Sequence, residues 1–222
     1  MTLAYFTSME ILQAYTYKVI NQCGLPQNQI ATLLGYLHIA FQPFFINAIS
    51  LYFVPQIVRQ KIQFPVYFLC FVSTIIMIIQ VYPFDWAGIC HPDRPLCGEM
   101  LCSVDGNWHI AWDVPANAMG NAFQEMNLPS QGMASGYPTY IFVGLLLPFL
   151  YGSWRFTIYH YVMGPFLASL TTDNINEWPA VWCLLSIGFL LIVIKTPIRN
   201  YLHVRRFFWW PKKWIDSADL KK

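Results

Sequence analysis

Two stretches of this chain carry no charge over lengths that can cross a lipid bilayer: Phe64 to Tyr82, and Trp178 to Ile194. A hydrocarbon core about 30 Å thick needs roughly 20 apolar residues wound as helix. Inside lipid the backbone must satisfy its own hydrogen bonds, which a helix does within one segment. Only 11% of the residues are charged, against about 25% in soluble domains. Aromatics reach 18%, which suits a protein with two interfacial belts. The expected fold class is all-α: a polytopic transmembrane helical bundle with a cysteine-bearing extramembrane segment.

Helix breakers divide the remainder. Leu3 to Ile20 reads as a first helix, broken by Gly24-Leu25-Pro26. Ile30 to Val54 reads as a second, ended by Pro55, and Pro65 to Tyr82 as a third. Phe84 to Tyr137 is rich in Gly, Pro, Asp and Cys, and within it Trp108 to Phe123 reads as a short or re-entrant helix. Pro138–Trp154, Phe156–Leu170 and Trp178–Ile194 follow. The expected domains are a bundle over 1–196, with 84–137 as its non-cytoplasmic segment, and an interfacial tail over 197–222.

Charge orients the chain. Arg59 and Lys61 share one short loop, and Lys195, Arg199, Arg205, Arg206, Lys212 and Lys213 fill the tail. The long segment holds Arg94 against Asp85, Asp93, Glu99, Asp105, Asp113 and Glu125. By the positive-inside tendency both termini lie on the cytoplasmic or matrix side, which requires an even number of crossings, about six. Either Pro138–Leu170 is a hairpin turning at Gly152, or Trp108–Phe123 crosses and Pro138–Leu170 is one long span. Arg155 favours the hairpin, since it then lies at the inner face.

The polar residues inside apolar segments are the candidates for chemistry. Glu10 near mid-bilayer costs a few kcal/mol and should face the bundle, with Gln13 on the same face. A shallow first helix would instead place Glu10 in a polar end turn. His38 and Gln42 are four residues apart on the second helix, beside Pro43, and either orient one another for metal binding or simply satisfy each other. His109 and Asp113 repeat that spacing, extended by Asn117 and Asn121. They could act as base and orienter or as metal ligands. Asp113 ahead of Val114-Pro115 also reads as a plain helix N-cap. If the chain is an enzyme, Glu10, His109 and Asp113 are its catalytic candidates; if it holds a metal such as zinc, His38, His109 and Asp113 are the ligands. His160, between two tyrosines, has no evident partner.

Cys23, Cys90, Cys97 and Cys102 fall on the non-cytoplasmic side, so two disulfides are expected, with three connectivities open. Cys90-His91 with Cys97 and Cys102 is an alternative zinc set. Cys70 and Cys183 read as packing residues. In the tail, Arg205, Arg206, Trp209, Trp210, Lys212, Lys213 and Trp214 alternate cations with aromatics, as an interfacial anchor does. Nucleic acid is not an expected partner, since these cations directly follow a membrane helix.

Met9-Glu10-Ile11-Leu12-Gln13, His38-Ile39-Ala40-Phe41-Gln42-Pro43 and Trp108-His109-Ile110-Ala111-Trp112 together resemble an uncharacterised family of polytopic membrane proteins. The resemblance implies a multi-helix membrane fold and no assigned activity; relative to that family an upstream helix is expected to be missing. Three functions stand against one another. The first is a non-enzymatic subunit of a larger membrane assembly, partnered by the bilayer and other membrane protein subunits. The second is a metal-assisted hydrolase of a lipid ester or amide, similar in residue types to ceramidases and adiponectin receptors but without their paired-histidine motif. The third is a small-solute carrier, with helices broken at Pro43 and Pro148 framing a polar midplane site; Val54-Pro55-Gln56 resembles the Pro-Gln pair of small seven-helix carriers, with no second copy.

Overall fold

A computed structural model describes residues 1–91, 94–119 and 137–214. Helix α1 runs Thr2–Thr16, α2 Pro26–Ser50 and α3 Gln56–Gln80. A single 3-10 turn, Leu51–Phe53, extends α2. Strands β1 (Cys102–Asp105) and β2 (Ile110–Asp113) pair antiparallel, Cys102 opposite Asp113 and Asp105 opposite Ile110. Helix α4 spans Pro138–Leu150, α5 runs over residues 154–171, α6 is Trp178–Lys195 and α7 Ile198–Leu202.

Among the described residues, three helical segments are long and apolar enough to cross a membrane: Pro26–Phe53, Gln56–Gln80 and Trp178–Lys195. The six crossings expected from charge are not reproduced as six such helices. Helix α1 has only 15 residues, about 22 Å of helix, and α4 is a shorter apolar helix. The chain does turn at Gly152, as the hairpin version required, with φ of 104° there. A side chain at that position would strain the backbone, and its Cβ would lie 2.5 Å from the Trp210 ring.

Prolines shape three helices. Pro43 lacks the N–H that would bond Ile39, loosening the turn around it. Carbonyls in that turn take hydroxyl donors: Tyr5 donates to His38, and Thr74 to Ala40 at 2.7 Å. In α4 a π turn over Phe142–Leu146 precedes Pro148, and in α5 another over Val162–Phe166 contains Pro165. The ladder widens where the proline N–H is missing. The Val143 carbonyl is taken by the buried Asn47 amide at 2.8 Å. Gly164 lets Trp182 pack against the π turn of α5, where a Cβ would sit 2.5 Å from the indole nitrogen.

Two apolar clusters fill the interior. The larger joins α1, α2 and α6 through Met9, Tyr36, Ile46, Trp182 and Phe189 and reaches Ile110 and Trp112 of β2. The smaller closes the opposite end with Leu51, Val58, Val66, Tyr151, Phe207 and Trp210.

The pairing of β2 with β1 corrects the helix expected from Trp108 to Phe123. Residues 110–113 are extended, and Gly106 to His109 makes the turn. Ile110, Ala111, Trp112 and Val114 are all buried, which a short strand covered on both sides permits. Asn121 and Phe123 lie outside the described residues. The fold is therefore mostly helical rather than all-α.

Candidate functional site

The site is built where the C-terminal half of α1 meets the β-turn. Glu10 and Gln13 stand on one face of α1, as their spacing predicts. The turn brings His109 to them: its Nε2 lies 4.0 Å from a Glu10 carboxylate oxygen. Turned to donate, the Gln13 amide nitrogen is 2.9 Å from His109 Nε2 and 3.2 Å from each Glu10 oxygen. Nε2 then accepts, so the proton sits on Nδ1, which donates to the Tyr17 hydroxyl at 2.7 Å. Burial pushes His109 below the ordinary histidine range, and Glu177 pulls weakly the other way. Tautomer and burial agree on a neutral imidazole. The Glu10 side chain keeps 22% of its surface exposed. It lies six residues from the end of α1, about 9 Å along the axis.

Glu177, which no motif singled out, holds the turn. It is fully buried and accepts from three successive backbone N–H groups, those of Asn107 at 3.1 Å, Trp108 at 2.6 Å and His109. The Thr172 hydroxyl adds a fourth bond at 2.6 Å. Its position just ahead of the apolar run of α6 was the available signal. Three asparagines do similar work. Asn28 bonds the Ser103 backbone through both N–H and carbonyl and also holds Val19. Asn117 takes the Ile79 and Tyr82 carbonyls at the end of α3. Asn176 bonds Asp113 at 3.2 Å and the Leu96 N–H at 2.7 Å.

Asp113 thus faces Asn176, away from His109. Burial raises its carboxyl above the usual range and the Asn176 amide partly offsets that. The expected base-and-orienter pair of His109 and Asp113 is not assembled. The expected His38–Gln42 pair is not made either. His38 stacks on Tyr5, ring centroids 3.9 Å apart, and its Nε2 has no hydrogen-bond partner among the described residues. Gln42 accepts from Tyr140 at 2.7 Å and points its nitrogen at Cys183. Pairs four residues apart diverge here because His38 turns toward α1 while Gln42 turns into the core. His160 accepts from the Trp182 indole at 3.2 Å.

Over residues 1–203 the sequence matches a family of unknown function (DUF5765). The chain belongs to that family. No curated protein and no solved structure matches it. The three short motifs therefore sit in a family without an assigned activity, as they implied.

In this member, Cys23 bonds Cys102 and Cys90 bonds Cys97. Four thiols near one end are thereby tied, and the alternative zinc set of Cys90, His91, Cys97 and Cys102 is overturned. Among the described residues, no three His, Cys, Asp or Glu side chains gather as metal ligands. His38, His109 and Asp113 do not form the expected ligand set. Cys70 and Cys183 are free and buried. Of the tail residues, Trp209 is exposed, whereas Trp210 is buried and donates to the Tyr151 carbonyl at 2.9 Å. Arg205, Arg206, Lys212 and Lys213 are exposed and Trp214 half-buried.

Proposed function

We propose that the protein is a multi-pass membrane protein acting as a non-enzymatic subunit of a larger membrane assembly. One observation carries this reading: the side chains best suited to catalysis hold one element to another. Asp113 is bonded to Asn176, and His109 lies between Tyr17 and Gln13. Glu177 is saturated by four donors. A catalytic site keeps a reactive group facing a cavity. The pocket among α2, α3 and α6 is lined by Ile39, Met77, Pro95, Leu96, Tyr137, Tyr140, Pro179 and Trp182, and none of the catalytic candidates reaches it. Helix α3 presents Phe64, Phe68, Phe71 and Ile75 outward as an uncovered apolar ridge, which a neighbouring subunit or lipid would cover.

The test is site-specific photo-crosslinking in native membranes, with a benzoyl-phenylalanine at Phe68 or Phe71 and a control at Ile11. A single discrete protein adduct from the α3 positions supports the subunit reading. Lipid adducts alone would refute it. The hydrolase reading retains the partly exposed Glu10 beside His109. Stoichiometric zinc in the purified protein, lost in His109→Ala, would put it first.

A further inference from the structure

The tail after α6 folds back onto the bundle as a two-faced collar. Leu202, Val204, Phe207 and Trp210 turn inward and are buried. The Val204 N–H donates to the Phe53 carbonyl at 2.9 Å, and Trp210 to Tyr151 at 2.9 Å. Arg155, from the start of α5, donates to the Tyr201 and His203 carbonyls at 3.0 and 3.3 Å. These bonds hold the tail in one orientation. Its other face carries Tyr201, Phe208 and Trp209, each more than 60% exposed, interleaved with exposed Arg199, Arg205 and Lys212.

Charge is segregated along the molecule. Arg59, Lys61, Arg155 and the cations of 195–213 stand at this end. The segments that form it, 44–70, 145–160 and 190–214, contain no Asp or Glu. The described carboxylates lie on α1, between 85 and 113, and at 173–177. Among the described residues this is a surface of cations without carboxylates, studded with outward Trp, Phe and Tyr (Asp216 and Asp219 follow outside the described residues), and it matches one environment in chemistry and shape. Aromatic rings sit at the boundary of headgroup and acyl chain, and guanidinium groups pair with phosphate. Juxtamembrane cations each gain attraction to an anionic leaflet.

We propose that the outer face of this collar is a docking surface for the phosphate headgroups of anionic phospholipids, in the bilayer that the apolar helices cross. It rests on the membrane reading but not on the subunit reading. Because the inner face is already bonded to the bundle, the cations are arranged before lipid arrives, and little order is lost on binding. This distinguishes it from a loose basic tail, which would attract any anionic surface without retaining particular lipids.

The experiment uses the full chain in nanodiscs of phosphatidylcholine with increasing phosphatidylglycerol, followed by native mass spectrometry of retained lipid. Phosphatidylglycerol should be retained over phosphatidylcholine of the same chain length. Arg199→Gln, Arg205→Gln and Lys212→Gln should each lower that preference by about five-fold. Lys18→Gln, at the other end, should not change it. All four should melt as the parent does in pure phosphatidylcholine, and Trp209→Ala should weaken retention without changing the charge. Equal retention of the two lipids, or a preference untouched by the three tail substitutions, would overturn the proposal. So would inorganic phosphate that displaces the lipid at millimolar concentration. A chain soluble without detergent or lipid would instead overturn the membrane reading itself.

Discussion

His109 shows how much a single side chain's surroundings decide. The imidazole is neutral because burial penalises its charged form more than Glu177 favours it. An unfolded histidine titrates near about 6.5. With the folded value lower, the unfolded chain binds more protons in the window between the two, so stability falls as pH drops through it. Asp113 is shifted upward; its contribution is lost as pH rises, and it cannot cause a fall on acidification. Thermal melts of detergent-solubilised protein should therefore be flat from pH 8 to 7 and decline from about pH 6.5 to 5. His109→Gln should remove its own share of that decline, alongside His203, which burial and Arg199 also lower, and the buried His160; an unchanged slope would show that His109 contributes nothing to it. The Glu10–Gln13 face was legible because i, i+3 neighbours always share a helix face. The arrival of His109 was not, because a contact across 92 residues, such as His109 with Tyr17, leaves no local pattern.

The segment that carries β1 and β2 is small and is held both by cross-links and by the core that Ile110 and Trp112 join. Cys23–Cys102 closes a loop with 79 residues of separation and ties β1 to the connection after α1, while Cys90–Cys97 closes only 7. Chain-entropy arguments assign roughly 4 kcal/mol to the first and roughly 2 to the second. Replacing both cysteines of the long loop with serine should lower the melting temperature more than replacing those of the short one. Mass spectrometry of unreduced peptides should find these two links. The reverse ranking would mean that the long loop is already restrained in the unfolded chain, through residual structure. The count of outer thiols pointed to two bridges, yet their pairing needed coordinates. The strand over 110–113 carries a helix-like pattern in its sequence. A four-residue spacing puts His109, Asp113 and Asn117 on one face of either a helix or a strand, so the spacing alone does not discriminate.

At the scale of the molecule, cations crowd one end and disulfides the other. The expectation from the positive-inside tendency is that both termini lie on the cytoplasmic or matrix side, with the disulfide end opposite. Gly98 is a poor site for a reporter, since a Cβ there would lie 2.3 Å from the Asp113 side chain. Glu99 and Lys212 are exposed. In sealed vesicles, an impermeant thiol reagent should label Glu99→Cys and Lys212→Cys from opposite sides. Labelling of both from the same side would refute the arrangement, which requires an odd number of crossings between residues 99 and 212.

The amino-acid sequence by itself determined that α3 and α6 carry long apolar helical runs and that the chain breaks between α1 and α2 at Gly24-Leu25-Pro26; the start of α2 at Pro26 rather than Ile30, and the turn at Gly152 rather than one long span, came from the structure. Hydrophobic run length, proline and glycine act over a few residues, and their effect is written where they stand. It also determined which residues were expensive to bury, Glu10 foremost. Only the tertiary structure decided what those residues touch. Glu177 against three backbone N–H groups, Asn28 against Ser103, Gln42 against Tyr140 and Trp210 under Gly152 are all contacts between distant segments. A buried polar group must find a partner somewhere, but the requirement does not name it, because several folds of the same helices could supply one.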